Sequence, residues 1–592
     1  MKYLSYFSTK TKTQLLFCLK PKKSIIFITT VAISILVSGY FYFDSSLEEK
    51  TFLIQGEGAE VALMKLNVKP SSQLPLIQAQ VVKLNQEQVK VLEAEDLILT
   101  PNYQVQSAGL AFGKKVGYSP ASASEMTNAS ILHDYGVYGD GVTIAILDTG
   151  VKSMSGIKLD AYGRQRVYGT YDAHRNKTSV NDDESNGHGT HVASIAVNSE
   201  RDINGNFYGI APNARLISLK AFDDVGKGSY ATVIRAIEFA INYKDRFNIR
   251  VLNLSFSSDP RSLYWQDPLN QAVMKAWQAG IVVVASAGNR SASAMGIGVP
   301  GNVPYVITVG AVTDNYTPDD MSDDRMASFS SSGPTHERFI KPEVVAPGGH
   351  IMGLMESKMA LAKAHPEYHD GGKYFTMSGT SQSASVVSGV AALMLSLSPE
   401  LTPDDVKCRL MSSAKPARNS DGTWAYSPFQ QGAGQVDAYL AVLSNDTNCA
   451  NVGLDIDKDI EGVEHYLGPT MLNENFEYYI KGSENLVWDG SNDKTLGYSW
   501  SSGSIWNDGS IWNDGSIWND GSIWNDGSIW NDGSIWNDTS IWNDGSIWND
   551  GSIWNDGSIW NDGSIWNDGS IWNDGSIWND ASISVNVWVD QE

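Results

Sequence analysis

Three segments, far apart in the chain, carry side chains that together could transfer an acyl group. Asp148 lies in Ile144-Ala145-Ile146-Leu147-Asp148-Thr149-Gly150, His188 in Gly187-His188-Gly189-Thr190-His191, and Ser381 in Gly379-Thr380-Ser381-Gln382-Ser383-Ala384. A serine hydroxyl becomes a nucleophile when an imidazole takes its proton and a buried carboxylate holds that imidazole in the useful tautomer. Taken singly, an Asp after an apolar strand is a turn or cap residue, and a His among glycines is a loop residue. Together, in the order Asp, His, Ser and flanked by glycines that permit close backbone approach, they read as one site. His191, one helical turn beyond His188, is assigned to packing.

Such a site needs a frame, and residues 118–445 supply one. Val142 to Leu147 is apolar without alternation, as a strand buried on both faces of a parallel sheet would be. Arg215–Lys220, Val251–Ser255 and Ile281–Ala285 read as further strands. Helices are expected from His188 to Val197, from Ser229 to Tyr243, from Leu269 to Ala279, and through Val387 to Leu395 with Ser381 at its start. Alternation of this kind predicts an α/β domain of three layers with a mainly parallel sheet. Asp148 then falls at the carboxyl end of a strand, where open α/β sheets place their sites.

The chain resembles the subtilases, the subtilisin-like serine peptidases. The three segments carry the resemblance, with Tyr208-Gly209-Ile210-Ala211-Pro212-Asn213-Ala214, Phe329-Ser330-Ser331-Ser332-Gly333-Pro334 and Lys341-Pro342-Glu343-Val344-Val345-Ala346-Pro347-Gly348. It implies a serine endopeptidase acting on proteins or peptides through an acyl-enzyme on Ser381. His188 would be general base and then acid, Asp148 its orienting partner, and Asn289, in Ser286-Ala287-Gly288-Asn289, an oxyanion donor. Gly226, Lys227 and Gly228 are similar to the family strand that pairs with an extended peptide, and Ser255, Phe256 and Ser257 to one wall of its substrate cleft. No cofactor is expected for catalysis. Structural Ca²⁺ is common in the family, and Asp182, Asp183 and Glu184 are either ligands or a solvated loop. The chain departs from the family pattern at Gln382 to Ser385, at Ser194, and at Ser257 and Ser258, where a Gly-Gly pair is usual. Side chains there would narrow the primary pocket. A rival reading is a surface binding or adhesion protein with a vestigial protease domain.

The flanks divide the rest. Residues 1–23 are basic, and 24–43 are apolar and free of charge. About 20 such residues cross a bilayer, and the preceding lysines predict a cytoplasmic N-terminus. A cleaved signal peptide and a retained membrane anchor both stay open, and both place the remainder of the chain outside the cytoplasm. Residues 44–117 resemble the small α+β propeptide of the family, an inhibitor of its own enzyme; Phe52-Leu53-Ile54 and Val61-Ala62-Leu63-Met64 read as strands, Val81 to Leu92 as a strand followed by an Asn-capped helix, and Leu97 to Asn102 as a strand. Maturation would fall between Gln106 and Ser124.

Residues 446–502 read as an acidic spacer, and Gly-Ser-Ile-Trp-Asn-Asp then repeats from Gly503 to Asp580, followed by the alternating Ile583 to Val589. Six residues advance a helix by about 600°, so the tryptophans cannot form a stripe. The repeat module, 503–592, is a β-solenoid or a disordered tail, and its tryptophans could hold a surface polymer. Net charge −24 argues against nucleic acid. Three cysteines occur; Cys18 precedes the apolar segment, which leaves Cys408 and Cys449 as a pair or as two free thiols.

Overall fold

Alternation builds the first unit. In β1 (Lys50–Gln55) and β3 (Ala79–Leu84), Leu53 and Val81 face the main core, while Ile54 and Val82 face a smaller one with Leu63, Leu84 and Leu92. With β2 (Ser72–Leu74) and β4 (Ile98–Pro101) they form an antiparallel sheet of order β2-β3-β1-β4. The smaller core is closed by α1 (Ala59–Lys65) and α2 (Gln86–Glu93). Asn85 caps α2 in a reciprocal box with Gln88. Val61 to Met64, expected as a strand, is instead part of α1. Its Ala, Leu, Met, Glu and Lys residues are strong helix formers, and Gly58, at φ 93°, turns the chain into it. A further strand, β5 (Gln104–Gln106), leaves the unit.

The computed structural model describes residues 49–491 apart from 96, 107–109, 113–121, 180–183, 291, 315–316, 318–323, 420–422 and 483–486, together with the strands Ile511–Asn513, Ser516–Asn519 and Trp588–Asp590. The apolar segment 24–43, Asp182, Asp183 and nearly all of the repeat lie outside the described residues.

The central sheet is built from β6 (Thr143–Asp148), β7 (Val167–Asp172), β8 (Lys177–Ser179), β9 (Arg215–Lys220), β11 (Ile249–Leu254), β12 (Val282–Ser286), β13 (Ile307–Thr313), β14 (Arg325–Met326) and β15 (Val344–Pro347). A short strand, β10 (Lys227–Ser229), precedes β11 outside this sheet. The order is β14-β13-β12-β11-β6-β9-β7-β8, with β15 also on β13, and only β8 and β14 run antiparallel to their neighbours. Buried Val, Ile, Leu and Ala fill β6, β11 and β12 without alternation, because helices cover both faces. On one side α3 (His188–Val197) packs along α6 (Thr380–Leu397); on the other α4 (Tyr230–Asn242) packs along α5 (Pro268–Gln278). The result is the expected three-layer α/β domain.

The α4/α5 face receives the first unit. Lys275 Nζ donates to Leu76 O (2.7 Å), and Gln55 Nε2 to Gln271 Oε1 (2.9 Å). On another flank, the described residues of 446–491 are folded onto the domain rather than strung out as a spacer. α7 (Ile456–Ile460) is capped by Asp455, and buried Asp459 accepts from Tyr264 (2.6 Å) and Tyr305 (2.9 Å) and meets His465 Nδ1 (2.7 Å). β16 (Thr470–Leu472), β17 (Tyr478–Ile480) and β18 (Val487–Trp488) form a small antiparallel sheet whose Trp488, fully buried, stacks on Phe429. Cys408 and Cys449 are joined as a disulfide, Cα–Cα 5.1 Å.

Candidate active site

Strand β6 carries the acidic partner, and the first residue of helix α3 is the basic one. Asp148 ends β6, and its backbone carbonyl accepts from Ala221 N (3.0 Å), just past the end of β9. Its Oδ1 accepts from Thr149 N (2.8 Å) and lies 2.7 Å from His188 Nδ1, with both side chains about 1% exposed. A proton held on Nδ1 by the carboxylate leaves Nε2 as the basic nitrogen. Gly189 makes this approach possible, since a Cβ there would collide with Gly150 O. Glu184 fixes the turn into α3: its carboxylate accepts from Gly187 N (2.5 Å), Thr149 Oγ1 (3.2 Å) and Thr190 Oγ1 (2.5 Å). Glu184 is buried and braces this turn, so it does not belong to a solvated loop. Among the described residues no cluster of three or more His, Cys, Asp or Glu side chains is arranged to hold a metal.

Ser381 opens α6, the helix that packs along α3, whose first residue is His188. Ser385 Oγ donates to Val192 O (2.5 Å), and Gln382 lies 3.5 Å from the His191 ring. These bonds register the first turn of α6, with Ser381, against the first turn of α3, with His188. Ser381 Oγ donates to Ser255 O (3.0 Å) at the end of β11. His191 is fully buried, lies 3.0 Å from Phe375 O, and is pushed down to about 3 by that burial, so it stays neutral and packs. The departure at Ser194 is absorbed: its hydroxyl donates to His191 O and accepts from Leu354 N, each at 2.7 Å.

Asn289 follows β12. Its Oδ1 accepts from Thr380 N (2.9 Å) and Thr380 Oγ1 (2.8 Å), which anchors it to the start of α6. Its Nδ2 is buried without a hydrogen-bond partner. An orphan buried donor costs about 1–3 kcal/mol. Lying next to a helix N-terminus, it is suited to an anion.

Of Gly226, Lys227 and Gly228, expected to pair with an extended peptide, Gly226 sits at φ 76° and the other two open β10, which is already paired. β5 lies antiparallel to it, with Gln104 opposite Ser229, Val105 opposite Gly228 and Gln106 opposite Lys227. Asn102 Oδ1 accepts from Ala231 N (2.9 Å) at the start of α4, Tyr103 packs edge-on against Tyr230 (5.2 Å), and Val105 is fully buried. This docking was not read from the sequence, although Tyr103-Gln104-Val105-Gln106 carries the alternation of a half-buried strand. Ser255, Phe256 and Ser257, expected at one wall of the cleft, are all buried, and Ser258 pairs with Val299.

A serine at a helix start, a buried imidazole–carboxylate pair and an orphan amide donor, on the strand ends of an α/β sheet, are the parts of a serine hydrolase. The subtilase family model matches residues 139–434, half of the chain, and the protein belongs to that family. As a subtilase it is a serine endopeptidase by class. It is 38% identical to serine protease AprX of Bacillus subtilis over 309 residues, covering 51% of this chain and 66% of that protein. Subtilisin DY of Bacillus licheniformis is 34% identical over 281 residues, covering 47% of this chain and 85% of that protein. Among solved structures, fervidolysin from Fervidobacterium pennivorans shares the fold at TM-score 0.53 and 22% identity, over 67% of this chain and 61% of that one.

Proposed function

We propose that the chain is an exported subtilisin-like endopeptidase made as a latent precursor. His188 Nε2 takes the proton of Ser381 as Oγ attacks a peptide carbonyl, and Asp148 holds the imidazolium that forms. The oxyanion receives Asn289 Nδ2 and the backbone N–H at the start of α6. His188 then protonates the leaving amine, and water releases the acyl group by the reverse sequence. The observation that carries this reading is the orphan Nδ2 of Asn289, fixed by Thr380 beside Ser381.

Residues 44–117 act as the propeptide, with β5 lying along β10 where a substrate strand would lie. Backbone pairing of this kind is largely indifferent to side chains, which suits an endopeptidase. Residues 118–445 form the catalytic domain. The charge-free segment 24–43 carries export, and the 503–592 repeats position the enzyme outside the cytoplasm. Replacing Ser381 with Ala tests the reading. Hydrolysis of a casein substrate and release of residues 44–117, followed by N-terminal sequencing, should both stop. Continued processing in purified S381A protein would overturn it.

A further inference from the structure

The primary specificity of this site is legible in one side chain. Ser381 Oγ donates to Ser255 O, so the reacting oxygen stands where β11 ends. A carbonyl carbon bonded to it, with its oxygen turned toward Asn289, lies above the gap between residues 255–258 and residues 287–290. The side chain on the acyl side of the scissile bond (P1) must enter that gap. Val299 exchanges two backbone hydrogen bonds with Ser258 (2.9 and 2.7 Å), which holds residues 298–299 beside the first of these segments.

Ser257 stands inside the gap. A Cβ placed on Gly288 would lie 3.0 Å from Ser257 Oγ, and one placed on Gly298 would collide with it. The hydroxyl therefore takes up the room that both glycines leave. It is buried, in a residue 2% exposed, and has no hydrogen-bond partner. Arg290, next to Asn289, pairs with Asp259 on the opposite segment and ties the two walls together.

We infer that Ser257 is the floor of the P1 pocket and restricts cleavage to short side chains, foremost those whose hydroxyl can pair with Ser257 Oγ. An unpaired buried hydroxyl is costly, and a P1 serine or threonine supplies the missing partner. An aromatic P1 ring finds its space occupied, and the Arg290–Asp259 tie keeps the walls from parting. This rests on the assignment of Ser381 and Asn289 as the reacting apparatus.

The test is kcat/KM for quenched peptides differing only in P1: Ser, Ala, Leu and Phe. The full chain should cleave the Ser and Ala peptides at least ~10-fold better than the Phe peptide. Ser257→Gly should raise the Phe:Ala ratio by at least ~10-fold, and Ser257→Ala should lower the Ser:Ala ratio while Phe stays poor. Thermal midpoints of both variants establish that they fold, and Ser257→Ala carries the test should the glycine variant not fold. A wild-type preference for Phe or Leu, or ratios unmoved in the variants, overturns the inference while leaving the protease reading intact. Failure to cleave any of the peptides, with S381A indistinguishable from wild type, overturns both.

Discussion

Removing the amide donor of Asn289 separates transition-state binding from substrate binding. In the free enzyme Nδ2 bonds to nothing, and Oδ1 is committed to Thr380 N and Oγ1. Asn289→Ala therefore deletes one hydrogen bond to a charged oxygen that exists only during reaction. Such bonds contribute about 1.5–3 kcal/mol. At about 1.36 kcal/mol per tenfold, kcat should fall about 10- to 150-fold. KM should move less than about 3-fold, because the ground-state carbonyl gains little from that donor. The same variant strips the acceptor from Thr380 N, a helix-start loss of about 1 kcal/mol in stability. Asn289→Asp keeps that acceptor, so it retains the stability while placing a carboxylate against the oxyanion; kcat should fall at least as far as in the alanine variant. Steady-state kinetics on one P1-Ala peptide, with thermal unfolding alongside, checks all three. A rise in KM at constant kcat, or a kcat loss under about 3-fold, would refute the assignment of Nδ2.

Asp459→Ala should cost about 2–5 kcal/mol, because the hydroxyls of Tyr264 and Tyr305 lose a buried acceptor. Urea unfolding in the S381A background checks it, Asp459→Asn should lose less than half as much, and a loss under about 1 kcal/mol would mean that residues 446–491 hardly stabilise the domain. Asp267 gives a pH dependence. Burial pushes its carboxyl up from 3.8 to about 6, against the bonds it receives from Asn270 N, Tyr230 OH and Leu269 N. The folded state thus holds the proton more tightly than the unfolded chain, and this stabilisation is complete below about 3.8 and lost as pH rises through about 6. Asp267→Asn keeps the cap and cannot titrate, so the stability of wild type relative to the variant should grow as pH falls from 7 to 4, by at most about 3 kcal/mol. A difference flat across that range would contradict the burial argument.

The sheet and the approach of Asp148 to His188 were legible because their signals are local and strong. Uninterrupted apolar strands, Ser229 capping α4 and glycines beside each reacting residue all act within a few positions. Val61 to Met64 is a weaker signal, because β-branched Val61 favours a strand while the helix formers around it favour the helix that prevails. The folded state of 446–491 was hidden for a different reason. Its anchors are single residues, Asp459, His465 and Trp488, whose partners lie at Tyr264, Tyr305, Trp265 and Phe429. A short acidic helix with one buried carboxylate has no periodicity that distinguishes it from a linker. Docking of β5 on β10 is a contact between strands of three residues and 123 positions apart at Val105 and Gly228. The departure from Gly-Gly signalled side chains at Ser257 and Ser258, but only the packing around Gly288 and Gly298 shows where the Ser257 hydroxyl goes.

On this reading Ser381 Oγ forms the covalent intermediate with help from His188. A fluorophosphonate probe followed by peptide mass spectrometry tests it most directly. One phosphonylated residue is expected, Ser381, with labelling slowed at least ~100-fold in His188→Ala. A probe that lands on another serine, or that labels the His188→Ala protein as fast as wild type, would contradict it.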